Sequence, residues 1–281
     1  MKHPGRRKKT IDSILFYFVI IFIGVTLFFP LFYTTMLSFM PKTDLSTFPL
    51  RLIPSRFVFD NYRDAFSFQP LSKYILNSFI IAMLSVAVNI LVAFMAAYAL
   101  VRTHIRGKNI FLVIILFMTL LPGITIIQPI YDMYKDLGLL DTYWGIALLA
   151  GLLDMPVSIW FLIALFKQVP IDYEDSARID GANLFRILMN IYFPLLRSGI
   201  FSLSILVFIN SWNQFLIAQI LNMKESHRTV VVAITLYKND FDINLGALAA
   251  AGVTTMLPIL ILVFLFQKRI IDNVLSGGVK G

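Results

Sequence analysis

The chain has 281 residues, 58% of them hydrophobic and only 14% charged, with a formal net charge of +8, 26 phenylalanines and no cysteine. A mean hydropathy of +0.80 excludes an ordinary soluble globular domain, where about a quarter of residues are charged. The absence of cysteine excludes disulfides, Cys-ligated zinc and thiol catalysis within this chain, and the basic residues flank apolar runs rather than forming one nucleic-acid-binding face.

Runs of about 20 apolar residues at 1.5 Å rise cross the hydrocarbon core of a bilayer. The first follows the basic tail "MKHPGRRKK". From Ile14 to Leu37 it is too long for a signal-peptide core, and no small-x-small cleavage site follows, so an uncleaved first span is expected. The spans are expected at about 13–39, 75–101, 110–130, 143–166, 199–221 and 247–267. The fold class is therefore all-α: a polytopic membrane protein with six transmembrane helices in one domain, 1–281. Six crossings put both termini on one side. That side carries 15 Lys and Arg: five in the N-terminal tail, three over Arg102–Lys108, four over Lys167–Arg197 and three at the C-terminus. The opposite loops carry nine, so both termini are expected in the cytoplasm. No internal repeat and no low-complexity segment is present.

One cytoplasmic loop, 167–198, contains "DYEDSARIDGANLFRILMNIYFP". Asp172 is an expected N-cap, and acids in a first turn complement the helix dipole. Gly181 is expected to take the left-handed conformation that ends a helix. Asn183 is expected to cap a second helix carrying Leu184, Ile187, Leu188 and Ile191, closed by Pro194. Small residues (Ser176, Ala177, Gly181, Ala182) surround the bend, where another protein's surface can approach closely.

Asp175-Ser176-Ala177, three residues, Gly181, nine residues, then Ile191-Tyr192-Phe193-Pro194 resembles the Glu-Ala-Ala loop of binding-protein-dependent ABC importer permeases. In that family the pattern is Glu-Ala-Ala, three, Gly, nine, Ile-x-Leu-Pro. Asp175, Ser176 and Phe193 depart from it, while Ala177, Asp180, Gly181, Ala182, Ile191 and Pro194 follow the family's usual loop. "LGLLDTYWGI", "WNQF" and the closing "GGVKG" are similar to the maltose-type carbohydrate branch, and the chain resembles its shorter permease. The resemblance implies a type I importer permease fold in a bacterial or archaeal cytoplasmic membrane. It implies as partners a second permease, two ATPase subunits that bind ATP and magnesium, and an extracytoplasmic sugar-binding protein. The loop would be the coupling helix seated on an ATPase.

The chain itself holds no nucleotide or catalytic motif. No Gly-x4-Gly-Lys-Ser/Thr occurs, since Gly107-Lys108 lacks the upstream glycine and the following hydroxyl. No Gly-x-Ser-x-Gly elbow, no His-Glu-x-x-His and no metal set is seen, and His3, His104 and His227 are scattered and read as solvated. No cofactor and no enzyme activity are expected in this chain. Within the fifth span, Asn210, Asn213 and Gln214 fall at i, i+3 and i+4 beside Trp212. Amides are costly in lipid, so this face is expected to line a substrate path or to bond neighbouring helices; both readings stand. Asp154, two residues before Pro156, either lines that path or reaches water near the external end of its span. A self-sufficient secondary transporter or channel is the rival reading. It would call for buried coupling-ion carboxylates, for which Asp154 alone is a candidate; a membrane-embedded enzyme lacks a nucleophile–base set.

Overall fold

The computed structural model describes the backbone of residues 5–49, 51–120, 123–237 and 244–278, with side chains at 13, 15–49, 51–120, 125–237 and 244–269. Among these residues the only regular elements are helices. α1 (Gly5–Ser38) is followed by two short helices, α2 (Lys42–Leu45) and α3 (Asp60–Phe68), and then by α4 (Leu71–Arg102). Gly107 (φ 78°) turns the chain into α5 (Lys108–Met118), and a 3₁₀ turn at Gly123–Ile126 leads to α6 (Ile127–Asp136). α7 (Tyr143–Leu153) and α8 (Met155–Phe166) follow, bent by 53° at the single residue between them, Asp154. α9 (Asp172–Ile179) and α10 (Leu184–Ile187) flank Gly181. α10 passes through a π turn, Leu188–Tyr192, into α11 (Phe193–Trp212); then come α12 (Leu216–Leu221), α13 (Val230–Ala233) and α14 (Leu245–Gly278).

Among the described residues, four helical stretches are long and apolar enough to cross a membrane: Leu15–Ser38, Leu71–Arg102, Leu184–Trp212 and Leu245–Arg269; α7 and α8 add a fifth where the bent pair counts as one span. The expected third span differs, because α5 has 11 residues and ends before the sequence Pro122-Gly123. Proline lacks the N–H that the helix ladder needs. The fifth helix differs at both ends. It begins at Leu184 instead of near Gly199, and it stops at Trp212 instead of running to Leu221. Pro194 therefore does not close a helix. Its ring and missing N–H conflict with an i→i−4 ladder, and the chain answers by widening to π geometry over the five residues before Phe193.

Two compact units are distinguished, Met1–Leu71 with Ile234–Met256, and Ser72–Ala233 with Leu257–Gly281. In the first, Asn61 is buried and donates to the carbonyls of Ser38 (3.1 Å) and Met40 (2.7 Å). Tyr237 donates to the Ala65 carbonyl at 2.6 Å. Asp44 accepts from the Ser55 N–H at 2.7 Å, and that bond together with Arg51 at 3.4 Å holds its carboxyl below the usual range. In the second unit, Phe94, Phe166, Ile187, Tyr192 and Leu203 belong to one core cluster that includes residues of α4, α8, α10 and α11. A further cluster joins Ile81, Tyr134, Ile146, Ile217 and Leu221.

Candidate functional site

The loop after α8 is built from local rules. Asp172 is the first residue of α9 rather than its cap, because Ile171 takes the N-cap position; the acids Asp172, Glu174 and Asp175 still fill the first turn. At the other end, Gly181 adopts φ 77°. Its N–H bonds the Arg178 carbonyl at 3.1 Å and the Ala182 N–H bonds the Ala177 carbonyl at 2.9 Å, the paired closure of a glycine-terminated helix. Asn183 Oδ1 accepts from the Arg186 N–H at 2.9 Å and starts α10 as expected. The motif residues divide by face. Ala177 and Ala182 pack against the α4–α8–α11 core, and Ile191 is half-buried. Asp175, Ser176, Asp180, Gly181 and Pro194 are exposed. Beside them stand Ile179, 87% exposed, and Phe185, 68% exposed, an apolar knuckle at the tip of the bend.

The residue that fastens this loop is one that sequence reasoning missed. Glu174 is 2% exposed. Its Oε1 accepts from Tyr98 Oη (2.8 Å) and from Arg178 Nη2 (2.6 Å) and Nε (3.1 Å). Its Oε2 accepts from Tyr192 Oη at 2.6 Å and lies 3.9 Å from Arg102 Nε. Burial pushes the Glu174 carboxyl up, but the donors from Tyr192, Tyr98 and Arg178 outweigh it and hold the group below the usual range. Arg102, at the last turn of α4, donates to the carbonyls of Phe166 (3.1 Å) and Val169 just past α8, and its guanidinium lies 5.4 Å from the centre of the Tyr192 ring. A signal was present in the sequence: Glu174 sits three residues before Ala177 and four before Arg178, hence on the inward face.

The expected amide face is taken apart by the end of α11. Asn213 is the C-cap residue, and its side-chain amide donates to the Ile209 carbonyl of its own helix at 2.9 Å. Trp212 is buried and stacked on Phe208, with ring centroids 5.8 Å apart. Gln214 lies in the break before α12 and borders a cavity of about 130 Å³ lined otherwise by Ile126, Ile130, Leu149, Leu153 and Ile217 among others. Asn210 and Asp154 do come together: Asn210 Nδ2 donates to Asp154 Oδ1 at 3.3 Å. Asp154 stands at the 53° bend between α7 and α8, and its Oδ2 is shut from solvent with no partner among the described residues. A half-satisfied acid beside a break between two apolar helices is where polar groups in membranes carry function.

Other polar contacts around this bend join helices. Ser211 and Ser85 share a hydrogen bond of 2.9 Å, and Asn89 donates to the Gly151 carbonyl at 2.8 Å. "LGLLDTYWGI" has an architectural explanation. Asp141 (φ 56°) donates its N–H to the Leu221 carbonyl and accepts the Lys224 N–H at 2.8 Å, while Thr142 Oγ1 accepts the Gly145 N–H at 3.0 Å and so caps α7. His227 packs edge-on against Tyr143 at 4.6 Å and His104 is exposed; His3 and the end of "GGVKG" lie outside the described residues.

Residues 89–275 match the family described as "Binding-protein-dependent transport system inner membrane component". The chain is 33% identical over 253 residues, 90% of its length and 89% of the relative's, to the sulfoquinovosyl glycerol transport system permease protein SmoH of Agrobacterium fabrum. It is 34% identical over 233 residues to the trehalose transport system permease protein SugB of Mycobacterium tuberculosis, covering 82% of this chain and 85% of that one. Among solved structures, a bacterial ABC transporter involved in the import of the acidic polysaccharide alginate shares the fold. Its TM-score is 0.82 at 22% identity, over 95% of this chain and 99% of that one.

Proposed function

From the premise that this chain belongs to the family of binding-protein-dependent transport system inner membrane components, hence is a multi-pass permease subunit and not an enzyme, we propose that it imports a sugar or oligosaccharide. The relatives named for trehalose and sulfoquinovosyl glycerol support a carbohydrate substrate. In this reading an extracytoplasmic binding protein delivers the sugar, a second permease completes the path, and separate ATPase subunits drive the cycle. With the segment from α5 to α6 completing a sixth crossing, the termini and the 167–198 loop face the cytoplasm, in keeping with 15 basic residues on that side against nine on the other.

The observation that carries the reading is the bend at Gly181. An exposed apolar knuckle, with open space around the glycine and a helix whose inward face is fastened to the core, is shaped for a protein partner on the loop. Asp175, Ser176, Asp180 and Gly181 would meet the ATPase; Ala177, Ala182, Ile191 and Pro194 would hold the loop's shape. The Asn210–Asp154 pair at the α7–α8 bend is proposed as the polar point of the sugar path, because an amide and a carboxylate together bond sugar hydroxyls as donor and acceptor. Purification of the tagged chain from detergent, followed by identification of co-eluting proteins, is the test. A second permease and an ATPase are expected. A chain that purifies alone and carries sugar across vesicles unaided would refute the proposal.

A further inference from the structure

We infer that Glu174 is a positioning residue that makes α9, the end of α4 and the start of α11 move as one body, so that a push on the loop reaches the spans. The inference rests on the proposed docking of an ATPase at this loop. Its basis is the division of labour between the two oxygens of one buried carboxylate. Oε1 is held by Tyr98 of α4 and by Arg178 of α9 itself, and Oε2 by Tyr192 at the π turn leading into α11. Arg102 extends the set, lying 3.9 Å from Oε2 while it binds the carbonyls that end α8.

Apart from Glu174, the apolar contacts that the loop makes with the core come from small side chains, Ala177 of α9 and Ala182 just past its end. Such contacts are non-directional and let a helix slide. Hydrogen bonds to a carboxylate weaken steeply with distance and angle, and those to Glu174 are short and come from three directions. A buried ionised carboxylate that loses even one of several donors is left under-solvated, at a high cost. Displacing α9 alone therefore breaks the set, and displacing it with α4 and α11 does not. The π turn takes part in this by placing Tyr192, fully buried, against the carboxylate.

The complete lack of cysteine makes the test direct. Cysteines introduced at Asp172, exposed at the start of α9, and at Leu91, 59% exposed on α4, carry spin labels in the full importer assembled with its ATPase, in nucleotide-free form and with ATP plus vanadate. The distance between the labels is expected to stay the same in both states in the parent chain. In Glu174→Gln it should shift or broaden by about 1–2 Å or more on nucleotide binding, the size of helix displacements at switching interfaces. ATP hydrolysis stimulated by the binding protein should fall about ten-fold, as expected for a lost charge-assisted set. Tyr192→Phe removes one donor and should show the same effects more weakly, and it decides the matter if Glu174→Gln does not assemble. The double variant should be no worse than Glu174→Gln alone, since both act on one contact. A parent chain whose label distance changes with nucleotide, or variants as rigid and as active as the parent, would overturn the role of Glu174 while leaving the docking intact. A parent chain that recruits no ATPase would overturn the proposed function and this inference with it.

Discussion

Substitution of Gly181 separates docking from backbone strain, because the structure sets the two effects apart. The residue has φ 77°, and a Cβ placed there meets no atom of the chain within 4 Å. Inside the chain, the cost of a side chain is therefore conformational, roughly 1–2 kcal/mol for an ordinary residue in the left-handed region. Asparagine tolerates that region better than alanine, yet it is larger. A β-branched valine is both strained and bulky. If a partner surface lies against the bend, each overpacked group weakens its binding by about 1–3 kcal/mol, or roughly ten-fold for each 1.4 kcal/mol. The expected order of impairment is Gly181→Val worst, Gly181→Asn next and Gly181→Ala mildest. The assay is the affinity of the purified ATPase for the permease pair in detergent, read together with substrate-stimulated ATP hydrolysis, with membrane insertion unchanged in all three. If Gly181→Ala is at least as damaging as Gly181→Asn, strain rather than docking governs the position. If Gly181→Val keeps full stimulated hydrolysis, the bend does not meet the ATPase at all.

A topology reporter fused after Lys108 or within Arg178–Arg186 should read cytoplasmic and one within Ser46–Phe59 external; an external 172–194 segment would end the coupling reading. Asn210→Leu removes a donor to Asp154 Oδ1 while Oδ2 lacks a partner among the described residues, so transport should fall about ten-fold in a complex that still assembles. Asn213→Leu, whose amide bonds its own helix, should be milder, and equal loss of assembled complex in both would make the pair interhelical glue. Gly145→Ala places a Cβ 2.2 Å from the Leu139 carbonyl oxygen and should destabilise the α6–α7 turn by about 1–3 kcal/mol, seen as a lower unfolding temperature in detergent; an unchanged temperature would refute the tight approach. The folded Glu174 carboxyl titrates below its ordinary value, so its stabilisation is complete above the unfolded pKa and is lost as pH falls through the folded one. Proteolysis within 172–194 should accelerate on acidification below the usual carboxylate range, and Glu174→Gln should remove that dependence.

What the sequence made legible was local or long. α4 could be read because its apolar run has no breaker, and the Gly181 closure and the Asn183 cap because turn and cap chemistry depend on neighbours within a few residues. The start of the fifth helix was hidden. Arg186, Asn190 and Arg197 interrupt the apolar pattern, yet Ile187, Leu188 and Leu196 face inward and carry the helix through them. The amide face failed for the reverse reason. Spacing of i, i+3 and i+4 defines a face only where a helix continues, and the chain leaves the helix at Asn213. Of the polar residues grouped by that spacing, the one that finds a partner across helices, Asn210, meets an acid 56 positions earlier in the chain.

The acidic run that opens α9 shows why such partners escape a reading of the sequence. Glu174 and Asp175 are neighbours with the same charge, and in composition they are interchangeable. A helix turns about 100° per residue, so one faces the core and the other faces away: Glu174 is buried and Asp175 is exposed. Burying a carboxylate between Tyr98 and Tyr192 would be ruinous without donors, and no residue within three positions of Glu174 supplies one. They come from Arg178 four residues on, Tyr192 18 residues on and Tyr98 76 residues back. A helix start that favours acids for its dipole thus offers two carboxylates at once, and tertiary structure assigns them opposite tasks. The inward one fastens the loop to the helices behind it, leaving the outward one available to whatever docks in front.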